Sequence, residues 1–204
     1  MASEHTSCQS CGDSLISPLF CFSCNSLQTV SDDIDHFKVM GLPHCFEIDS
    51  EELENLYQRL SLGMHPDFFG EAPEKQKLLS EKSSVMLNAA YSILREPSSR
   101  ARYLLLLLAR KKNLQTDALP EGFLQEIFIF QESLDEMLES GDQSALCKMN
   151  EDLQNRHTFI ESNYAALFKK FKTSPENHEI LQQMQTQLNA ERYLRRLLDR
   201  INSE

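Results

Sequence analysis

The feature that most constrains this chain is a helical stretch that stops at a proline and is followed closely by a second helical stretch. The first runs roughly from Glu51 to Met64, the second from Glu74 to Leu94, and His65-Pro66-Asp67 lies between them. A proline cannot continue the preceding helix, and it biases the residue before it toward extended conformations. The sequence therefore predicts a helical hairpin with an exposed tip that presents an imidazole and a carboxylate, and such a tip is suited to touching another protein.

Apolar residues at helical spacing predict the buried faces of this hairpin. In the first stretch they recur every three or four residues, and Asp49 with Glu52 forms a capping box at its start. In the second stretch the prediction is a facing stripe made of Leu78, Val85, Ala89 and Leu94.

Composition supports an all-α fold and argues against two classes of partner. The 204 residues include only 6 Gly and 7 Pro, and 41% are hydrophobic, which is enough for a core. The formal charge of −11 disfavours nucleic acid, because affinity for phosphates depends on clustered Lys and Arg. The longest apolar run, Leu104 to Leu108, is far shorter than the ~20 residues that cross a bilayer. We therefore expect no nucleic acid and no membrane among the partners.

Two Cys-x-x-Cys pairs lie near the N-terminus, nine residues apart, and consist of Cys8, Cys11, Cys21 and Cys24. Two residues between thiolates let both sulfurs point at one ion, so two pairs supply the four ligands of a closed structural zinc site. Gly12 directly follows the first Cys-x-x-Cys pair and suits such a turn, because glycine tolerates positive φ. Disulfides or an iron redox centre are the alternatives, and zinc is the better default in a chain without signs of secretion.

The C-terminal part predicts an antiparallel three-helix bundle, because long amphipathic stretches are joined by short breaks at 140–142 and 173–175. A linker at Gln115 to Pro120 precedes it. Leu124 and Phe128 lie about 100° to 140° around the first helix from the core residue Phe123, and Glu132 lies beyond them. Spacing alone leaves two interpretations open, an exposed docking patch or a wide core stripe.

In order and in motif, these features resemble a known family. A short and a long helix, His65-Pro66-Asp67, and a second long helix with Leu87-Asn88-Ala89-Ala90-Tyr91 resemble a J-domain. More narrowly, His65-Pro66-Asp67-Phe68-Phe69, the paired Cys-x-x-Cys module and the C-terminal helices resemble the HscB family, the J-domain co-chaperones of iron–sulfur cluster assembly. The resemblance implies a four-cysteine module at 1–30, a J-domain at 34–112 and a C-terminal helical bundle at 119–204.

The resemblance also implies a function without enzymatic activity, the stimulation of a partner's ATPase. In J-domains the His-Pro-Asp turn docks on a DnaK-type chaperone and triggers its ATP hydrolysis, and the corresponding contacts here are His65, Pro66, Asp67 and Arg59. This chain departs from the pattern, because Arg59 is the only clearly basic residue from Glu51 to Met64 and Phe68 stands where many J-domains have lysine. Lys75, Lys77 and Lys82 after the turn are the alternative source of basic contacts. The positions that match the family's contact with its iron–sulfur scaffold protein are Leu124, Phe128, Glu132, Glu136, Arg192 and Tyr193.

Other interpretations are weaker but remain distinct. A catalytic role for His65 and Asp67, as a general base and acid, is disfavoured. The sequence shows no nucleophile, Gly-rich loop or metal-bound water beside them. A zinc- or iron-binding redox or adaptor protein with a general J-domain role is the alternative function. The resemblance implies the mitochondrial matrix, although Met1 to Ser7 lack the character of a transit peptide and a cytosolic pool stays open. The oligomeric state is also open, with a homodimer among the alternatives.

Overall fold

The computed structural model describes residues 7–109, 114, 117–175 and 177–203, and the chain divides into two compact units, Met1–Arg100 and Ala101–Glu204. Among the described residues the fold is all-α apart from one short hairpin, as the sequence predicts. The elements are β1 (Phe20–Cys21), β2 (Ser26–Leu27), α1 (His36–Val39), α2 (Ser50–Gly63), a 3₁₀ helix (Pro66–Phe69), α3 (Glu74–Arg95), α4 (Pro97–Ala109), α5 (Phe123–Ser140), α6 (Gln143–Thr173) and α7 (His178–Asn202).

Parts of three predicted segments lie outside the described residues. They are Met1 to Thr6 of the N-terminal segment, Arg110 to Asn113 beyond the end of α4, and Gln115 and Thr116 of the predicted linker. The predicted domain limits 1–30, 34–112 and 119–204 therefore stay predictions. Among the described residues, no helix has both the length and the apolar character that crossing a membrane requires.

The first unit begins with a small module, residues 7–28, which we call the cysteine module. Its strands β1 and β2 pair antiparallel, with Phe20 opposite Leu27 and Cys21 opposite Ser26. Gln28 is buried, and its Oε1 accepts a hydrogen bond of 2.8 Å from the Gln9 backbone N–H. Because buried polar groups are costly without partners, this bond fixes the first Cys-x-x-Cys segment against the end of the hairpin.

The cysteine module packs closely against the rest of the first unit. The Ser17 hydroxyl donates to the Val39 carbonyl at 2.8 Å, at the end of α1. Directly after α1, Gly41 has φ +66°, and a Cβ at this position would lie 1.8 Å from the carbonyl oxygen of Ile16. Phe20 also lies close to Gly63, where a Cβ would be 2.8 Å from its ring. Only glycine permits these approaches. The module therefore packs at a defined position against α1 and the end of α2.

Helices α2 and α3 form the predicted hairpin. Asp49 is the N-cap of α2, and its carboxylate accepts from the N–H groups of Glu51 and Glu52 at 2.9 and 3.0 Å. This satisfies two of the orphan donors at the helix start and confirms the predicted cap. Leu53, Leu60 and Met64 are buried on the face of α2 that the spacing predicts.

The buried face of α3 differs from the prediction. Leu78 and Val85 are 58% and 68% exposed, and Ala89 is exposed as well, so three of the four predicted stripe positions were wrong. The residues of α3 that are buried are Ser80, Ser83, Leu87, Ala90 and Leu94. This face lies about 160° around the helix from Leu78 and Val85. The Ser80 hydroxyl donates to the Met64 carbonyl at 2.6 Å, so small polar residues occupy the closest part of the contact with α2.

The second unit contains the predicted three-helix bundle, in which α5, α6 and α7 pack on one another. Helix α5 ends at Gly141, which has φ +68° and whose N–H bonds the Leu138 carbonyl. Asp142 then caps α6 by accepting from the Ala145 N–H at 3.0 Å. One cluster of buried core residues consists of Phe123, Ile127, Leu134, Leu146, Met149, Leu153, Ala190, Leu194 and Leu197.

Candidate functional site

The four predicted metal ligands come together in the cysteine module. The sulfur atoms of Cys8, Cys11, Cys21 and Cys24 all lie within 4.8 Å of one another. The distances from Cys8 Sγ to Cys24 Sγ and from Cys11 Sγ to Cys21 Sγ are 3.6 and 3.7 Å. Four ligands at ~2.3 Å around a tetrahedral ion have sulfur–sulfur distances of about 3.8 Å. The group therefore fits one metal ion with four thiolate ligands.

The backbone of both Cys-x-x-Cys turns is shaped for this site. The N–H groups of Ser10 and Cys11 point at Cys8 Sγ, at 3.3 and 3.5 Å. The Cys11 N–H, with smaller help from Ser26 and Ser10, lowers the pKa of Cys8 to about 5, while burial and the neighbouring thiols raise the pKa of Cys11. The residue after each turn has positive φ, +81° at Gly12 and +52° at Asn25. Gly12 was predicted; Asn25 was not, although asparagine is the non-glycine residue that most readily adopts this conformation.

The predicted chaperone contact lies at the tip of the α2–α3 hairpin. His65 and Asp67 have side chains that are 51% and 88% exposed, and Pro66 begins the 3₁₀ helix. The His65 Nδ1 accepts from the Asp67 N–H at 3.3 Å, which assigns the proton of the neutral imidazole to Nε2. The Ser80 bond to the Met64 carbonyl anchors the residue before the turn. The tip is thus held by α3 while both polar side chains face solvent.

Arg59, the basic residue predicted to join this contact, lies on the exposed side of α2. Its guanidinium stands over the ring of Phe22 in the cysteine module, 4.7 Å from the centroid. This is a cation–π arrangement, which ties the basic group of α2 to the module. Phe68, directly after Asp67, is 68% exposed and its ring lies edge-on to His65, with centroids 6.3 Å apart.

In the second unit, the exposed face of α5 carries four of the predicted scaffold contacts, which we call the α5 patch: Leu124, Phe128, Glu132 and Glu136. Leu124 and Phe128 are each 58% exposed, and the two glutamates are exposed as well. The interpretation of Leu124 and Phe128 as a wide core stripe is therefore wrong. Four residues spaced by four form a continuous row on a helix, apolar at one end and acidic at the other.

The remaining two predicted scaffold contacts lie on α7. Arg192 is exposed, and its guanidinium lies 5.8 Å from the ring centroid of Tyr193. Tyr193 meets Phe123 at the start of α5 in an edge-to-face contact, with ring centroids 6.1 Å apart. Tyr193 is therefore packed against the beginning of the helix that carries the α5 patch.

The sequence did not predict a buried ionic cluster in the second unit. The side chain of Glu191 is 1% exposed, and its carboxylate contacts Arg195 at 3.1 Å, His157 at 3.0 Å and Arg102 at 3.3 Å. The hydrogen bond to Glu191 raises the pKa of His157. A signal was present, because Glu191 lies midway between the core residues Leu188 and Leu194 and so falls on the buried line of α7. The cluster joins α4, α6 and α7.

Comparison with known proteins agrees with this arrangement. Residues 35–103 match the family model described as the DnaJ domain, which covers α1 to the middle of α4. Among curated proteins, the human "Iron-sulfur cluster co-chaperone protein HscB" is 31% identical over 173 residues, which span 84% of this chain and 72% of the human protein. The mouse protein of the same name is 35% identical over 132 residues, spanning 61% of this chain and 52% of the mouse protein.

Solved structures give the same result for the fold. The crystal structure of the human co-chaperone protein HscB superposes with a TM-score of 0.76 at 26% identity, covering 97% of this chain and 98% of that one. The chaperone HscB from Vibrio cholerae has a TM-score of 0.68 at 25% identity, covering 83% and 96%. The DnaJ match, the human relative and the shared fold together establish that this chain belongs to the HscB family of iron–sulfur cluster co-chaperones.

Proposed function

We propose that this chain binds an iron–sulfur scaffold protein through its second unit and delivers it to a DnaK-type chaperone. The His65-Pro66-Asp67 turn then stimulates the chaperone's ATP hydrolysis and so promotes transfer of the cluster. The observation that carries the proposal is the presentation of His65 and Asp67 at an exposed tip that α3 holds in place. Such a tip offers one hydrogen-bond donor and one carboxylate to a partner, which suits docking and not turnover of a substrate.

The turn is tested by His65→Gln in a single-turnover ATPase assay with a purified DnaK-type chaperone and scaffold protein. Glutamine keeps a polar side chain of similar reach but has no imidazole, so we expect folding to persist and the stimulation to fall to the unstimulated rate. His178→Gln makes the same chemical change at an exposed position of α7 and should stimulate like the wild type. Full stimulation by His65→Gln would show that the turn is not the trigger.

Scaffold binding is assigned to the α5 patch together with Arg192 and Tyr193. Leu124 and Phe128 are large exposed apolar side chains one turn apart on the same face of α5, and such side chains often dominate an interface. We expect the double variant Leu124→Ala, Phe128→Ala to weaken scaffold binding by about tenfold or more in calorimetry. Phe159→Ala is the matched control, because Phe159 is 67% exposed on α6 of the same bundle. Equal losses in both variants would remove the special role of the α5 patch.

We propose zinc as the metal of the four-cysteine site, where it would hold the two turns together without an open coordination position. The closed set of four thiolates supports a structural role. Elemental analysis of purified protein should give one zinc ion per chain and no visible absorption band. A coloured protein with bound iron would favour the alternative of a redox centre. The compartment, the mitochondrial matrix by resemblance, stays a prediction.

A further inference from the structure

A groove of about 650 Å³ lies in the first unit beside the His65-Pro66-Asp67 turn. Its two sides come from different parts of the sequence. One side belongs to the cysteine module and the other to α2 and the 3₁₀ helix, and the lining includes Phe20, Phe22, Arg59, Leu62, Gly63 and Phe68. We call it the apolar groove.

Large apolar side chains make up much of the exposed part of this groove. Leu62 and Phe68 are 66% and 68% exposed. Phe22 is half-buried and packs edge-to-face on the buried Phe20, with ring centroids 5.3 Å apart and planes at 79°. Phe20 in turn lies against Gly63 of α2. The module therefore holds Phe22 rigidly next to two large exposed side chains, which is the kind of surface that proteins reserve for a partner.

Helix α2 offers little positive charge beside this groove. Arg59 is the only Lys or Arg between Glu51 and Met64, and its guanidinium is stacked on Phe22. The start of α2 is acidic, and the chain as a whole carries a formal charge of −11. A partner that docks on this groove gains little from attraction to basic residues of α2, so burial of apolar surface is the main source of affinity that the groove itself offers.

We propose that the cysteine module forms part of the chaperone-binding surface, with Phe22, Leu62 and Phe68 making an apolar contact with the DnaK-type ATPase. The inference rests on the proposed function of the turn. Continuity identifies the occupant, because Phe68 both lines the groove and packs its ring against His65, next to the exposed Asp67. The matching surface on the chaperone is an apolar patch that adjoins the polar site for Asp67. The metal site thereby positions a recognition residue, Phe22, which immediately follows the ligand Cys21.

The test titrates the full chain into the chaperone and records two quantities, the concentration for half-maximal ATPase stimulation and the maximal rate. We expect Phe22→Ser and Leu62→Ser each to raise the half-maximal concentration about tenfold, with the maximal rate unchanged because His65 and Asp67 are intact. Phe22→Leu keeps an apolar side chain and should restore most of the affinity. Val85→Ser changes an equally exposed aliphatic residue on the outer face of α3 and should behave like the wild type.

Each outcome decides the inference. The inference is supported if Phe22→Ser keeps the metal content of the wild type but has a raised half-maximal concentration. The module then contributes a contact to the chaperone. Wild-type titration curves for Phe22→Ser and Leu62→Ser, beside normal stimulation by the wild type, overturn the inference and leave the proposed function standing. Loss of scaffold binding or of self-association in these variants, with normal titration of the chaperone, assigns the groove to another occupant and also overturns it. No stimulation by the wild type removes the proposed function and this inference together.

Discussion

At the scale of single residues, Glu191 is a buried carboxylate with three basic partners in the described part of the chain. A carboxylate that is 1% exposed survives burial only when charged partners and hydrogen bonds replace water, and here Arg102, His157 and Arg195 do so. Buried ion pairs add little stability over apolar residues, but removing one partner is costly because the remaining charge is left unpaired. The cluster therefore makes the packing of α4, α6 and α7 specific and makes it sensitive to pH.

The pH dependence follows from His157, whose pKa is raised by its hydrogen bond to Glu191. A histidine with a raised folded pKa contributes stability that is fully present below its unfolded pKa of about 6.5 and is lost as the pH rises through the folded pKa. We expect His157→Gln to destabilise the protein more at pH 6 than at pH 8.5. Urea unfolding of both proteins at the two pH values measures this.

A second histidine, His36, also makes the stability depend on pH, but its contribution cancels when the two proteins are compared. Burial lowers the pKa of His36, which gives a contribution of opposite sign that is lost as the pH falls. This contribution is present in the wild type and in His157→Gln, so it cancels in the difference between them. An equal loss of stability at both pH values would mean that folding does not raise the pKa of His157.

Gly41 is the residue at which the seat of the cysteine module is most constrained. Gly41→Ala places a Cβ 1.8 Å from the backbone oxygen of Ile16, which cannot move aside as a flexible side chain would. Gly141→Ala has nearly the same φ and nothing within 4 Å of the new Cβ. We expect Gly141→Ala to cost about 1–2 kcal/mol of backbone strain and Gly41→Ala about 3 kcal/mol or more. Hydrogen exchange, read separately in each unit, compares them, and equal losses would contradict the close approach.

At the scale of elements, α3 shows what a sequence pattern can and cannot determine. Its limits and its place after the turn followed from the proline and from the helical periodicity. Its buried face did not, because hydrophobicity ranks Leu78 and Val85 above Ser80 and Ser83. The serines are buried because their small side chains let α3 approach the end of α2, and Ser80 finds a partner in the Met64 carbonyl. Such a register depends on the partner helix, which periodicity does not describe.

Two neighbouring positions test this register. Leu87 is fully buried, so Leu87→Ala should destabilise the first unit by about 2–4 kcal/mol through lost burial and a cavity. Val85, two residues earlier, is 68% exposed, and Val85→Ala should change the free energy of unfolding by less than about 0.5 kcal/mol. Thermal or urea denaturation gives both values. A larger loss for Val85→Ala than for Leu87→Ala would restore the stripe predicted from the sequence.

The candidate sites also differ in how far the sequence could predict them. The four cysteines and the turn are local motifs, and their spacing along the chain already places the reactive atoms near one another. Leu124 and Phe128 lie on one helix, so their angle from the core line was available, but their exposure was not. The apolar groove brings Phe22 beside Leu62 across about 40 residues of sequence, and Glu191 meets Arg102 across almost 90. Contacts of this kind arise from tertiary packing, which no pattern within a single segment encodes.

At the scale of the whole molecule, the proposed tasks fall in separate compact units. The turn, the cysteine site and the apolar groove lie within Met1–Arg100, and the α5 patch lies within Ala101–Glu204. The bundle has its own buried core, contributed by α5, α6 and α7. A unit with its own core is expected to keep its structure when another unit is disturbed. This arrangement would let scaffold capture persist while the chaperone contact is changed.

Loss of the metal tests this independence. A module as small as residues 7–28 has too little core to fold alone, so we expect Cys11→Ser to lose its bound metal and the amide protection of β1 and β2. Because Phe20 is seated on Gly63 and Ser17 on α1, protection should also fall at the ends of α1 and α2, while α5, α6 and α7 keep theirs. Hydrogen-exchange mass spectrometry reads all of these segments in one experiment.

Cys147→Ser, at an exposed cysteine of α6 away from the four ligands, is the matched control and should retain its metal. Equal loss of protection in the bundle would show that the metal supports the whole chain, and unchanged protection of β1 and β2 would show that the module folds without it.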